Sequence, residues 1–262
     1  MAWRAIHEAH AIDRVRVMLQ FNEALNDKLL QKAASPASEK YRDLGFETVE
    51  RAEGPIQTIV LTQDGTPIKP PVKNGWVLKR GSTEEVGFRD LTFGYVSTEY
   101  GRWENLESRF WDIFRDALTV ALESVDLAQI RLEYWDRFVF EGDPAEADAR
   151  LLLAEVDPSV PPGSISGATL WHSHAGWFEQ RDGNPVLINR NFDAIDQTIE
   201  SEPRRVLNIF TLVDLRPQGS ITVPEVESVL SYLHNRALLL FGASINEDFR
   251  SAIGLDLEKY AI

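Results

Sequence analysis

Apolar side chains alternate with polar ones in several stretches of the chain, a two-residue period typical of strands with one buried face. Residues 12–21 (IDRVRVMLQF) show it clearly, with Val15, Val17 and Leu19 on one side and polar or flexible residues on the other. The pattern therefore predicts a half-buried strand there. Further strands are predicted at residues 55–61, 76–79, 89–100, 128–140, 168–178 and 205–215, the last of them nearly all apolar and hence central in its sheet.

Two longer stretches carry the three-and-four spacing of amphipathic helices. Residues 104–124 place Leu106, Phe110 and Phe114 on one such face. A second helix is predicted from Thr222, which with Glu225 forms a capping-box pattern, through residue 241, with Gly242 as its stop.

Shorter signals complete the secondary-structure prediction. Asp143 followed by Pro144 predicts the start of a short helix. The turn residues Asp182 and Gly183 predict a β-hairpin between the strand at 168–178 and the following PVLINR. The next stretch, NFDAIDQTIESEP, is polar and is predicted to be a loop or a short helix.

These elements predict an α+β fold, with one or two mostly antiparallel sheets and the two long helices packed on one face. Both long helices follow a strand, so the chain also suggests two related half-domains. The expected halves are residues 1–156 and 168–262, joined by a Pro- and Gly-containing linker at 157–167, although the two could form one domain.

Composition narrows the class of protein. The 262 residues contain 44% hydrophobic and 26% charged side chains, as in ordinary globular proteins. The absence of cysteine excludes disulfides, thiolate metal sites and cysteine nucleophiles. We expect neither a signal peptide nor a membrane-spanning segment, since no sufficiently long apolar run occurs.

Acidic residues are concentrated in the middle of the chain. The net charge is −14, and residues 101–200 hold 8 basic and 19 acidic side chains. Such a negative surface repels phosphate backbones, so direct nucleic-acid binding is not expected. It could instead attract a basic protein partner, or imitate nucleic acid through a row of carboxylates at Glu141, Asp143, Glu146, Asp148, Glu155 and Asp157, unless that row is only a solvated surface.

Common catalytic and nucleotide-binding signatures are missing: the sequence contains no P-loop, no G-x-S-x-G and no G-x-G-x-x-G motif, and it identifies no cofactor. His172 and His174 are the clearest candidate metal ligands, because two residues of a strand that lie two apart point to the same side. A pair of surface histidines is the alternative interpretation.

Arg102 and Trp103 stand immediately before the predicted helix at 104–124, where an arginine and a helix N-terminus could hold an anion. The alternative is that Trp103 packs at the start of the helix and Arg102 pairs with a local carboxylate. Trp171 and Trp177, which flank the two histidines, are further candidates for ligand binding.

Four segments, taken in order, resemble a sporadically distributed prokaryotic family of uncharacterised proteins of similar length. They are HAIDRVRVMLQF, YGRWENLESRFWDIFRDAL, IRLEYWDRFVF and LSYLHNRALLLFGASINEDFRSAIG. The resemblance implies a cytosolic prokaryotic protein, and a patchy distribution would suit a defence or mobile-element gene. It implies no active-site residues.

The sequence therefore favours a non-enzymatic binding or regulatory protein of such a system, with a protein partner or as a homo-oligomer. Two alternatives stay open. One is a metal-dependent hydrolase built on His172 and His174, and the other is an acidic mimic of nucleic acid.

Overall fold

The structure is a computed structural model. It describes residues 2–7, 10–34, 37–46, 48–51, 60–61, 67–68, 75–154, 157, 159–160 and 169–260. The strands are β1 (Ala2–Ala5), β2 (Ile12–Phe21), β3 (Thr48–Arg51), β4 (Val60–Leu61), β5 (Pro67–Ile68), β6 (Gly75–Arg80), β7 (Glu84–Arg89), β8 (Thr92–Ser97), β9 (Leu127–Glu141), β10 (Trp171–Arg181), β11 (Asn184–Ile199) and β12 (Glu202–Leu215). The helices are α1 (Asp27–Ala34), α2 (Ala37–Asp43), α3 (Trp103–Leu122), α4 (Val223–Ser244) and α5 (Glu247–Ala252), with short 3-10 turns at Pro144–Glu146, Ala149–Leu151 and Leu257–Tyr260.

One large antiparallel sheet organises the chain. Its strands follow the order β10-β11-β12-β9-β2-β8-β7-β6-β3, and β1 adds to β9 beyond the end of β2. β9 has 15 residues and pairs with β12 along one edge. Along the other edge its partner changes from β2 to β1. At this change the Ile6 amide donates to the Arg137 carbonyl and the Arg137 amide donates to the Ala11 carbonyl.

The buried apolar side chains form two clusters. The larger contains inward residues of β2, β7, β8 and the first part of β9, together with buried residues of α1, α3 and α4. The smaller contains Trp3 of β1, Phe138 and Phe140 of β9, Phe192 of β11, and Phe241 of α4. Both clusters thus share β9 and α4, so these two elements tie the core together.

The predicted α+β class with mostly antiparallel pairing is confirmed. The sheet dominates the described part of the chain, in which α3 and α4 are the longest of five helices. That these two long helices pack on one face stays a prediction. The two related half-domains stay a prediction. β12 and β9, which lie on opposite sides of the predicted linker at 157–167, are neighbours in one sheet.

The predicted linker falls mainly outside the described residues. Asp157 and Val160, which are described, are both buried, the first against Arg190 and the second in the smaller cluster. The predicted strand at 55–61 likewise falls mostly outside the described part of the chain, which includes only β4 from it.

Several predicted elements agree closely with the structure, including β2, α3, β9 and β12, but the predictions for residues 191–199 and for the end of α4 were wrong. Residues 191–199 continue β11, because Phe192 and Ala194 alternate with polar side chains and fill the core side of the strand. α4 continues past Gly242 to Ser244, because Gly242 packs against the C-terminal segment and does not cap the helix. No helix in the described ranges combines the length and apolar character needed to span a bilayer.

Candidate functional site

A single acidic residue interrupts the core-facing side of β9. The alternation of the strand puts Ile130, Leu132, Tyr134, Asp136, Phe138 and Phe140 on one side. The residues before Asp136 belong to the larger cluster and those after it to the smaller one. Asp136 therefore lies at the junction of the two clusters, where no charged residue is needed for packing.

Thr211 of β12 is the second polar residue at this junction, opposite Tyr134 in the strand register. Asp136 is only 4% exposed and Thr211 only 1%. The Thr211 hydroxyl has no hydrogen-bond partner among the described residues, and none of them hydrogen-bonds the Asp136 carboxyl group through its side chain. A buried polar group without a partner costs about 1–3 kcal/mol, so the pair marks a place where a bound molecule or water is expected to supply the partner.

Both groups face a cleft of about 590 Å³. Six parts of the chain line it: the segment before β2, the start of α3, β9, β12, the middle of α4 and the segment after α5. Those parts are far apart in sequence and meet because β9 and β12 are central strands. The cleft is large enough for an organic molecule of drug-like size.

Aromatic rings form much of its wall. Trp103 stacks on His234 with ring centroids 4.2 Å apart, and the Tyr134 hydroxyl is 2.9 Å from Nδ1 of the same histidine. Tyr100 packs edge-to-face against both Tyr134 and His10. The side-chain nitrogen Nδ1 of His10 is another buried atom without a partner in the described part of the chain.

Burial controls ionisation throughout the cleft. It lowers the pKa of His234 to about 3 and raises the pKa of Tyr134 well above its ordinary value. Burial also raises the pKa of Asp136 to about 8, and the positive charge of Arg190 opposes that rise only in part. At neutral pH the floor of the empty cleft therefore consists mainly of uncharged groups that can donate and accept hydrogen bonds.

Arg190 does not neutralise Asp136 directly, because its hydrogen bonds go elsewhere. Its Nη1 lies 3.0 Å from a carboxylate oxygen of the buried Asp157, and its Nη2 donates to the hydroxyl of Ser244. This arrangement ties β11 to the end of α4. Among the described residues Asp136 consequently has no ion-pair partner. Arg190 acts on it only through its charge, and Nε of Arg190 has no hydrogen-bond partner there either.

The segment after α5 closes one side of the cleft through Ile253, Gly254, Leu255, Lys259 and Tyr260. It packs closely on α4 at Gly242, where a Cβ atom would lie only 2.3 Å from a methyl carbon of Leu257. A glycine at this position therefore permits the close approach of this wall.

Two of the residues predicted from sequence lie at the cleft. Arg102 precedes the first residue of α3 in an extended conformation, and Trp103 begins the helix. Both line the cleft, and no described residue forms an ion pair with Arg102. Trp171 and Trp177 lie elsewhere, on β10, where they pack partly buried against the smaller and the larger cluster respectively.

His172 and His174 are also on β10, and both are exposed. They share one side of the sheet, opposite to Ser173, as predicted from their spacing. His172 hydrogen-bonds through Nδ1 to Asp193 of β11. No group of three or more histidine, cysteine or acidic residues placed to hold a metal ion occurs in the described part of the chain.

Sequence analysis missed the residues at the centre of the cleft. Asp136 was not singled out, and the structure places His234 of α4 in the core, 5% exposed and stacked on Trp103. The available signal was an aspartate in register with the apolar positions of an alternating strand. Comparison with known proteins finds no matching family profile, no matching curated protein and no matching solved structure.

Proposed function

We propose that the protein binds a small organic molecule in the cleft between β9, α4 and the segment after α5, and that Asp136 and Thr211 are its polar anchors. The observation that carries the proposal is a pair of buried polar side chains that face the cleft. Among the described residues, the Thr211 hydroxyl has no hydrogen-bond partner and no side chain hydrogen-bonds the Asp136 carboxyl group. A ligand that hydrogen-bonds to both would recover the free energy that their burial costs.

The walls of the cleft support the same proposal. Trp103, Tyr100 and Tyr134 offer rigid apolar surface with hydrogen-bonding groups at the ring edges. They are held by contacts with His10 and His234 and by the start of α3. Mostly apolar walls with a few convergent polar groups are typical of small-molecule sites.

This proposal narrows the binding or regulatory function expected from the sequence. A protein that regulates a defence or mobile-element system could receive its signal as a ligand in this cleft. The protein partner, the homo-oligomer and the prokaryotic origin remain proposals, as do the metal-dependent hydrolase and the nucleic-acid mimic.

The experiment is a ligand screen with the full-length protein by thermal shift, using fractionated bacterial metabolites. A ligand present at about 100 times its Kd stabilises the native state by about 2.7 kcal/mol, so even a weak binder gives a measurable rise in Tm. Each hit is then titrated by calorimetry against the wild type and against Thr211→Val, which keeps the shape of the side chain and removes its hydroxyl.

Asp193→Asn is the matched control, since Asp193 lies on β11 outside this cleft and pairs with His172. We expect Thr211→Val to weaken binding about tenfold, as for the loss of one hydrogen bond, and Asp193→Asn to leave it unchanged. Hits that bind both variants as tightly as the wild type would overturn the proposal, and so would the absence of any binder.

A further inference from the structure

We propose that the ligand is an organic cation with N–H donors, an ammonium or guanidinium compound, whose charged group lies against Asp136 and Thr211. The inference rests on the proposed small-molecule function and specifies the chemistry of the ligand. Four observations support it.

The first observation is the unpaired carboxyl group itself. A buried carboxylate must be neutralised either by its own proton or by a cation. Arg190, the cation that acts on Asp136, is held by Asp157 and Ser244. The position facing Asp136 from within the cleft is therefore available to a cation that the described part of the chain does not supply.

The second observation is the hydroxyl of Thr211, which faces the same cleft two register positions from Asp136, opposite Tyr134. An ammonium group has three N–H donors and a guanidinium group has five, and neither has an acceptor. Such a group can donate to the Asp136 carboxylate and to the Thr211 oxygen at once. A ligand carboxylate in that position would instead face a carboxyl group.

The third observation is the aromatic wall. The rings of Tyr100, Trp103, Tyr134 and Tyr260 all line the cleft. Aromatic faces attract cations by about 0.5–2 kcal/mol, more strongly where water is excluded. They would also cover the apolar part of an organic cation.

The fourth observation is the charge at the rim and over the whole chain. Two basic residues line the cleft. Lys259 Nζ lies 3.7 Å from Asp256 Oδ2, and the acidic Glu104 lines the cleft as Arg102 does. The net charge of −14 favours the approach of a cation from solution.

The proposal implies that binding releases a proton. The groups that surround Asp136 in the cleft come from every element packed around it. They are His10 before β2, Tyr100, Arg102 and Glu104 at the start of α3, Tyr134 on β9, Arg190 on β11, Thr211 on β12, His234 on α4, and Lys259 and Tyr260 after α5. Asp136, with its pKa raised by burial to about 8, is the group among them that must lose its proton to pair with a cation near neutral pH.

The experiment compares three probes of the same shape by calorimetry: butylammonium, butanol and butyrate. We expect butylammonium to bind most tightly and to bind roughly tenfold more tightly at pH 9 than at pH 7, since Asp136 must ionise first. Near pH 7 the measured heat of butylammonium binding should depend on the ionisation enthalpy of the buffer. That dependence reports the proton that Asp136 releases to the buffer.

Asp136→Asn should abolish both the preference for butylammonium and the buffer dependence, whereas Asp193→Asn should keep both. Equal or tighter binding of butanol or butyrate would overturn the cation proposal while leaving the small-molecule proposal standing, provided that this binding is lost in Thr211→Val. If the metabolite screen also gives no ligand, the proposed function itself fails. Butylammonium binding that persists unchanged in Asp136→Asn would overturn the assignment of the charged group to this residue.

Discussion

The hydroxyl group of Tyr134 lies 2.9 Å from Nδ1 of His234, and this contact joins the central strand β9 to the helix α4. Both residues are buried, and His234 is held from its other side by the stacked ring of Trp103. The contact therefore fixes the orientation of two side chains that line the cleft.

Replacing Tyr134 by phenylalanine should lower the free energy of unfolding by about 1–3 kcal/mol, because Nδ1 of His234 loses its partner in a buried place. Urea denaturation of both proteins measures the change. Tyr41→Phe is a matched control, since the Tyr41 hydroxyl donates to the carbonyl of Ile113 at 3.2 Å, away from the cleft. Both variants should lose stability, but only Tyr134→Phe should weaken ligand binding; equal binding by the two variants would contradict this prediction.

Asp136→Asn should stabilise the ligand-free protein at alkaline pH. Burial raises the pKa of Asp136 to about 8, above the ordinary value of 3.8 that applies in the unfolded chain. Between pH 3.8 and about pH 8 the folded state therefore binds more protons at Asp136 than the unfolded chain does. The contribution of this group to stability falls as the pH rises through that range and is fully lost above about pH 8. Asparagine has no ionisable side chain, so the variant does not lose this stability as the pH rises.

At pH 9 the free energy of unfolding of Asp136→Asn should exceed that of the wild type by an amount on the order of a few kcal/mol. This difference should shrink as the pH approaches 4. Thermal unfolding of the two proteins from pH 4 to 9 measures it. An Asp136→Asn variant that is less stable than the wild type at pH 9 would show that the carboxylate has a favourable partner in the folded protein.

Glu84 should make the protein sensitive to acid. Although burial favours its neutral form, hydrogen bonds from Tyr95 at 2.6 Å and Arg109 at 2.9 Å, with the charges of Arg109 and Arg80, lower the pKa of Glu84. Its contribution to stability is therefore present above the ordinary pKa of 4.5 and is lost as pH falls through the lowered value.

Glu84→Gln should be less stable than the wild type at pH 7, since three residues from β6, β8 and α3 lose a charged partner. The difference should diminish below pH 4.5, as the wild-type carboxylate becomes protonated. Urea denaturation at pH 7 and pH 3.5 tests this, with Glu99→Gln as the exposed control. If Glu84→Gln were less stable than the wild type by the same amount at both pH values, the stabilising role of the ionised Glu84 would be refuted.

Gly242→Leu should weaken ligand binding with little loss of helix. Even a Cβ atom at this position comes within 2.3 Å of Leu257, so a larger side chain must push the segment after α5 away from α4. That segment is one wall of the cleft. We expect ligand affinity to fall at least tenfold while the far-ultraviolet circular dichroism is retained; Gly219→Leu, at a position where an added Cβ meets no atom within 4 Å, is the control.

Much of the fold can be predicted from the sequence, because each strand or helix shows its period locally. β2 alternates between buried and partly exposed side chains from Val15 to Phe21, every second residue of β9 from Ile130 to Phe140 is buried, and α3 has a continuous apolar face. The predicted capping box of α4 is also present, with the Thr222 amide donating to Glu225 at 2.7 Å. These features depend only on neighbours in the sequence.

The rest depends on contacts between distant segments. Residues 89–100 were predicted as a single strand, but the turn at Asp90 and Leu91 separates β7 from β8, and a short apolar run does not reveal such a break. The cleft is harder still to predict, because the proximity of His10, Asp136 and Tyr260 can be deduced only when the sheet order is known. Arg102 and Trp103 were found because the start of α3 is visible in the sequence, whereas nothing local indicates that His234 would stack on Trp103.

The wall formed by the segment after α5 also bears on the synthesis of the protein. The cleft includes residues near position 10 and residues as far along as Tyr260. A nascent chain that has already paired β2 with β9 and β12 would still have an open groove in place of the cleft until residues 253–260 leave the ribosome. Ligand capture would then begin only once residues 253–260 have emerged, and chains that stop before them would not compete for the ligand with chains that contain them.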